Sequence, residues 1–93
     1  MTLQKAGWQR GWRKLYEEVV NLLKSEFIPI WGNFGFQTKV IEEPNGITAA
    51  LLLNGKAVNS LQVRLREAGE GDGYCIDFIE RENDLKFSLK KAI

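Results

Sequence analysis

The sequence contains no histidine, a single cysteine and only two prolines in 93 residues. Without histidine, the chain lacks the usual general base, the commonest metal ligand and every histidine-dependent nucleophile. With Cys75 as the only thiol, an intramolecular disulfide is excluded, and a small buried thiol is the expected role. No apolar run approaches the roughly eighteen residues of a membrane span, and no leader pattern opens the chain. We therefore expect a soluble protein of a reducing compartment, by default the cytoplasm, with no membrane partner, metal or cofactor.

Charge is nearly balanced over the whole chain but uneven along it. Thirteen basic residues against twelve acidic ones give a net charge of +1, so no overall field attracts nucleic acid or anionic lipid. A basic cluster precedes the first acidic residue and consists of Lys5, Arg10, Arg13 and Lys14. In "WQRGWRK" its members alternate with tryptophans, an arrangement that could hold phosphates beside stacking aromatic rings. Nucleic-acid binding through this cluster is the second function hypothesis, against solvated basic residues beside core tryptophans.

The N-terminal third has the apolar spacing of a helix. Apolar residues recur three and four positions apart from Trp8 to Phe27, which predicts an amphipathic helix over residues 8–27. Gly7 weakens its start. Pro29 disfavours a helical conformation at the residue before it and predicts the end.

The remainder of the chain has the pattern of a β-meander. Five apolar segments are separated by turn signals, which predict strands at residues 36–43, 47–53, 56–66, 74–81 and 85–91. The loops between them are too short for the crossovers of a parallel sheet. We therefore expect one α+β domain over residues 1–93, with the N-terminal amphipathic helix packed on a five-stranded antiparallel β-meander.

The turn sequences predict which residues share a face of the sheet. "EPNG" suits a type I turn with Gly46 in a left-handed bulge, which pairs Glu43 with Ile47. "NG" suits a two-residue type I′ turn, which pairs Leu53 with Lys56. Regular pairing from both turns puts the following residues on the face under the helix: Phe36, Thr38, Val40, Ala50, Leu52, Ala57, Leu61, Val63 and Leu65.

The second face of the first three strands is then apolar as well. It carries a patch that we call the predicted interface, made of Ile41, Ile47, Leu51, Leu53 and Val58. Monomeric soluble proteins seldom expose such a patch, so a homodimer contact or another protein partner is expected there. The alternative is that residues 29–35, which include Trp31 and Phe34, fold back over it, or that the sheet curls so that the patch becomes a second small core.

The last hairpin is predicted to be apolar on one side only. A two-residue turn at Asn83 and Asp84 pairs Phe78 with Leu89 and Glu80 with Phe87. The helix is expected to cover the face that carries the following apolar residues: Tyr74, Ile76, Phe78, Leu85, Phe87 and Leu89.

No pattern in the chain predicts catalysis. The segment "EAGEGDG" could ligate calcium through Glu67, Glu70 and Asp72, but it lacks the spacing of an EF-hand, and a plain hairpin loop is expected. The layout of one helix and a meander resembles cystatin-like inhibitors and kinase-associated regulatory domains, and this architectural resemblance implies no function. We therefore expect a non-catalytic protein-binding module, regulatory or inhibitory, that uses an apolar sheet face.

Overall fold

Three helical segments follow one another without a break at the N-terminus. The computed structural model describes the backbone of residues 2–67 and 74–90 and the side chains of residues 11–67 and 74–89. Helix α1 spans Thr2–Leu22, a π-helical segment spans Leu23–Phe27, and helix α2 spans Ile28–Asn33. The helical region is therefore longer at both ends than the predicted range 8–27.

The π-helical segment explains why Pro29 does not end the helix. A proline inside an α-helix clashes with the carbonyl four residues earlier and lacks an N–H group. Here the N–H of Ile28 donates to the carbonyl of Leu23, five residues back, and this wider turn makes room for the proline ring. The prediction that Pro29 ends the helix is wrong for this reason.

The helix ends instead at Asn33, and Gly35, two residues later, has a positive φ of 92°. The N–H of Phe36 donates to the carbonyl of Trp31 at 3.1 Å, and that of Gly35 donates to Gly32 at 3.0 Å. These two bonds form a Schellman motif, in which glycine favours the left-handed conformation. The chain then turns directly into the sheet.

Five antiparallel strands form a single sheet in chain order. They are β1 Gln37–Glu43, β2 Gly46–Leu53, β3 Lys56–Glu67, β4 Tyr74–Glu80 and β5 Leu85–Lys90. The helical region packs on this sheet, so the predicted α+β fold is confirmed. The predicted loop with Glu70 and Asp72 lies outside the described residues.

The β1–β2 turn differs from the prediction by one residue. Glu43 pairs with Gly46, and Val40 pairs with Ala49, so the turn contains only Pro44 and Asn45. Gly46 belongs to β2 and is not in a left-handed bulge. This shift moves every side chain of β2, relative to β1, to the face opposite the predicted one.

The β2–β3 hairpin begins as predicted and then departs from regular pairing. Asn54 and Gly55 have φ values of 53° and 81°, as a type I′ turn requires, and Leu53 pairs with Lys56. Beyond the turn, Leu52 pairs with Ala57 but Leu51 pairs with Asn59. Val58 is therefore the extra residue of a β-bulge, and the bulge reverses the faces of the residues that follow.

These two changes determine which side chains form the core. Tyr16, Val20 and Leu23 of the helical region pack on one face of the sheet, which we call the helix-side face. The buried side chains of that face are Ile47, Ala49, Val63, Leu65 and Ile76. Leu52, which was predicted to lie under the helix, is on the opposite face, which we call the outer face.

The β4–β5 hairpin also differs from its prediction, but without a change of face. Phe78 pairs with Phe87, and Glu80 pairs with Leu85, because the turn has four residues, 81–84, instead of two. A shift of two residues leaves each side chain on its predicted side. The predicted apolar face of this hairpin is therefore the helix-side face.

Candidate protein-binding surface

Strand β5 is an edge strand with an alternating sequence. Leu85, Phe87 and Leu89 alternate with polar residues, and the register with β4 puts all three on the helix-side face. Leu89 packs against the core. Among the described residues, β4 is the only strand paired with β5. The other side of the β5 backbone has no described strand beside it, and we call it the open side.

Two large apolar side chains of β5 are more than half exposed. Leu85 is 60% exposed and Phe87 is 62% exposed. The ring of Phe87 rests on half-buried Phe78, with centroids 5.7 Å apart and planes tilted by 40°. We call Phe78, Leu85 and Phe87, together with the open β5 backbone, the β5 patch.

A buried carboxylate on the outer face links β5 to the neighbouring strands by hydrogen bonds. Asp77 on β4 is only 3% exposed. One of its oxygens accepts a hydrogen bond from Ser88 Oγ on β5 at 2.6 Å, and the other accepts from Arg66 Nε on β3 at 2.5 Å. Three neighbouring strands are thus joined by one side chain.

The charge of Asp77 is stabilised by these partners. Burial alone would raise the pKa of its carboxyl group, but the hydrogen bonds from Arg66 and Ser88 and the positive charges of Arg66 and Lys86 outweigh it. The pKa of Asp77 is therefore below its ordinary value, and the carboxylate is ionised at neutral pH.

The turn before β5 is held by hydrogen bonds from its backbone N–H groups to side-chain oxygens. Asn59 Oδ1, beside the bulge, accepts from the N–H of Glu82 at 3.0 Å, and the carboxylate of Glu80 accepts from the N–H of Asn83 at 3.0 Å. Burial would raise the pKa of Glu80, but hydrogen bonds from Asn83, Asn59 and Glu82 lower it below the ordinary value. The turn that leads into β5 is therefore anchored to β3 through Asn59 and to β4 through Glu80.

The five residues of the predicted interface do not lie together. Ile47 is 1% exposed and belongs to the core, and Leu51 is half-buried on the same helix-side face. Ile41 lies on the outer face and is 57% exposed. Leu53 precedes the Asn54–Gly55 turn, and Val58 is at the bulge. The one-residue turn error and the bulge are the physical reasons that the predicted grouping on one face is wrong.

Residues 29–35 do not cover the outer face as the alternative proposed. Trp31 of α2 packs against the core on the helix-side face. Phe34 is exposed, and so is Ile30. A covering role for this segment is therefore wrong, because the continuous helix keeps it on the helix-side face.

The basic cluster is only partly available for a phosphate ligand. Arg13 Nη1 donates to the carbonyl of Pro44 at 2.7 Å, its Nη2 donates to Asn45 Oδ1, and its guanidinium lies 5.7 Å from the centre of the Tyr16 ring. Lys14 is exposed. The side chains of Lys5 and Arg10 lie outside the described residues. Nucleic-acid binding through this cluster stays a prediction.

A shallow polar cleft of about 240 Å³ lies between α1 and the β1–β2 turn. Lys24 Nζ and Glu42 Oε2 form an ion pair at 2.7 Å beside it. Burial raises the pKa of Tyr16 in its wall, although the nearby Arg13 acts in the opposite direction. Both basic side chains of the cleft are already engaged, Lys24 by Glu42 and Arg13 by the β1–β2 turn, and we assign the cleft no ligand.

Three further observations concern chemistry and membranes. Cys75 is fully buried on the outer face, as predicted for a structural thiol. Across residues 2–67 and 74–90, no group of three or more Cys, Asp or Glu side chains is arranged to hold a metal ion. Within the same ranges, no helix has both the length and the apolar character of a membrane span.

Sequence reasoning missed the exposure of Leu85 and Phe87. It placed them correctly on the helix-side face and expected the helix to cover them. A helix is about 10 Å wide, whereas five strands spaced about 4.8 Å apart extend over roughly 20 Å. This difference in width could have revealed the exposure from the sequence, because one helix leaves part of a five-stranded sheet uncovered.

Comparisons with known proteins give no relative from which a function could be transferred. No protein-family model matches the chain, no curated protein is significantly similar, and no solved structure matches it. Function is therefore inferred from the contacts of the chain itself.

Proposed function

We propose that the protein is a small, non-catalytic protein-binding module, regulatory or inhibitory, whose contact surface is the β5 patch. One observation carries the proposal: Leu85 and Phe87 are 60% and 62% exposed side by side on an edge strand. Natural proteins normally protect sheet edges with charge, short strands or covering segments. Neighbouring apolar side chains that stay exposed on an open sheet edge are typical of an interaction site.

The mode of binding that fits this surface is strand addition. The open N–H and C=O groups of β5 would bond to an extended segment of the partner. Side chains of that segment would contact Leu85 and Phe87 on the helix-side face, where aromatic groups contribute most of the energy in typical interfaces. Lys86 on the outer face would contribute to a polar rim.

The anchoring of β5 supports this mode, because a rigid surface loses less conformational entropy on binding. Ser88 is bonded to buried Asp77, and the turn before the strand is bonded to Asn59. A strand of the partner would therefore bind to an edge that is already ordered.

The composition of the chain supports the non-catalytic part of the proposal. It has no histidine, and its single thiol is buried. A buried thiol that needs no disulfide partner is compatible with a reducing compartment such as the cytoplasm.

A matched pair of charge substitutions tests the contact surface. Phe87→Asp adds a charge to the β5 patch, and Ile41→Asp adds one to a similarly exposed position on the other edge strand. Proteins retained by the immobilised wild type should be lost with Phe87→Asp and kept with Ile41→Asp, while circular dichroism shows both variants folded. Loss with Ile41→Asp alone would assign binding to the outer face, and retention by both variants would contradict the proposal.

A further inference from the structure

We propose that the partner of the β5 patch is a second copy of the chain. The two β5 strands would pair antiparallel, with Phe87 opposite Phe87, and join two five-stranded sheets into one of ten strands. This inference rests on the proposed function, because it identifies the partner of the same surface.

Two-fold symmetry fits the alternation of β5. Residues that are directly opposite in an antiparallel pair point to the same face. A two-fold axis perpendicular to the sheet therefore brings the helix-side face of one copy next to that of the other. The exposed ring of Phe87 then contacts its counterpart, Leu85 contacts Leu89 of the second copy, and apolar surface is removed from water on both copies.

Charge distinguishes the three symmetric registers that are centred on residues 86, 87 and 88. With Phe87 on the axis, Leu85 is opposite Leu89, Lys86 is opposite Ser88, and position 90, a lysine, is opposite Asp84. With Ser88 on the axis, Lys86 would instead be opposite the lysine at position 90, and with Lys86 on the axis it would be opposite itself. Like charges directly opposite one another destabilise a strand pair, so the register about Phe87 is favoured.

The other edge of the sheet is less suited to self-pairing. Strand β1 carries three charged residues among seven, Lys39, Glu42 and Glu43, and Glu42 is already paired with Lys24. Its helix-side positions are Thr38, Val40 and Glu42, whereas those of β5 are all apolar. Both edge strands carry charged residues, β5 included, but only β1 has one on the helix-side face, and this opposes further strand addition there. Pairing through β5 therefore gives a closed dimer and not a growing sheet.

Analytical ultracentrifugation over a wide range of protein concentration tests the dimer. The wild type should sediment as two 10.6 kDa chains at high concentration and dissociate on dilution. Phe87→Asp should weaken dimerisation by at least about a hundredfold, because one substitution removes two central aromatic contacts. Ile41→Asp should leave the dissociation constant unchanged. If Phe87→Asp fails to fold, Leu85→Lys is used in its place, and it should also weaken the dimer.

Disulfide trapping tests the register. Phe87→Cys should form an intermolecular disulfide on mild oxidation, because each introduced thiol faces its copy across the axis. Leu85→Cys should not, since it faces Leu89 of the second copy. Native Cys75 is fully buried and does not compete. Efficient trapping by Leu85→Cys but not by Phe87→Cys would overturn the register.

The outcomes separate this inference from the proposed function. A wild type that is monomeric at every concentration overturns the homodimer, and the proposed function then survives only if another protein binds and Phe87→Asp abolishes that binding. A dimer that persists in Phe87→Asp and dissociates in Ile41→Asp contradicts both.

Discussion

Strands β2 and β5 carry apolar side chains on the same face of one sheet, yet their surroundings are opposite. Ile47 and Ala49 of β2 are 1% and 0% exposed, whereas Leu85 and Phe87 of β5 are 60% and 62% exposed. In sequence, β5 alternates apolar with polar residues, whereas β2 is apolar on both faces from Ala49 to Leu53, so the more clearly amphipathic strand is the more exposed one. An alternating pattern therefore indicates which face a side chain occupies, but not whether another element covers that face.

The difference follows from the size and course of the helical region. Helix α1 packs on β3 and β4, and α2 packs on β1, so the helical region crosses the sheet obliquely. A single helix is only about two strands wide. The apolar residues of β2 lie beneath this path, and the outermost ones of β5 lie beside it.

The largest expected effect separates these two strands directly. Ile47→Ala should lower the free energy of unfolding by about 2–5 kcal/mol, because it leaves a cavity in the packed core. Phe87→Ala, measured in dilute monomer, should cost less than about 1 kcal/mol, since only the contact with Phe78 is lost. Urea denaturation of both variants checks the ratio. Equal losses would mean that Phe87 is covered in solution.

A second prediction concerns what holds β5 in place. Asp77→Asn should lower the free energy of unfolding at neutral pH by about 1–3 kcal/mol, because charge-assisted hydrogen bonds to Arg66 and Ser88 are weakened. Thermal melting measures the loss. Glu18→Gln, at an exposed position of α1 without an ion pair to any described residue, is the control and should change little.

The same carboxylate predicts a dependence on pH. The folded-state pKa of Asp77 lies below its ordinary value of 3.8. Its contribution to stability is therefore complete above that value and is lost as pH falls through the lower folded-state pKa. Denaturation of Asp77→Asn should accordingly show a shallower loss of stability below about pH 5 than the wild type. Identical slopes would show that Asp77 is not a stabilised carboxylate.

A third prediction tests how helix α1 is attached to the β1–β2 turn. Arg13→Lys should cost about 1 kcal/mol, because lysine keeps the charge but cannot donate at once to Pro44 and Asn45 as the guanidinium does. Lys14→Ala, one position along the same helix, should stay within about 0.5 kcal/mol of the wild type. If both substitutions cost the same, the contact between α1 and the turn contributes nothing specific.

The smallest expected effect has the opposite sign. Thr38 Oγ1 on β1 is buried without a hydrogen-bond partner among the described residues. Thr38→Val removes this unpaired group while keeping the shape, and it should raise the free energy of unfolding by about 0.5–1 kcal/mol. Thr38→Ser keeps the hydroxyl group and should bring no gain, so a stabilised serine variant would contradict the explanation.

Prediction from sequence succeeded where errors did not change the face of a strand. The helix, the strand order and the Asn54–Gly55 turn follow from local patterns. In the β4–β5 hairpin, the turn was wrong by two residues, and Phe78 and Phe87 still lie on the predicted side. An even shift preserves the alternation of side chains.

Single-residue errors had the opposite consequence. The shift at Pro44 and the bulge at Val58 each reverse a face. The two errors therefore cancel between β1 and the residues of β3 beyond the bulge, and β2 is assigned to the wrong face. A bulge depends on packing and on contacts such as those of Asn59 with a distant turn, which local spacing does not contain. Ile47 was consequently assigned to an interface although it is at the centre of the core.

Hydrogen exchange at the two sheet edges tests the central claim most directly. Backbone amides of β5 and β1 are compared in the wild type at low and high protein concentration. If the β5 patch pairs with a second copy, the open amides around Phe87 should exchange more slowly at high concentration, while those of β1 around Val40 keep the same rate. Protection that rises at β1, or that is independent of concentration at both edges, would contradict the assignment of β5 as the self-binding edge.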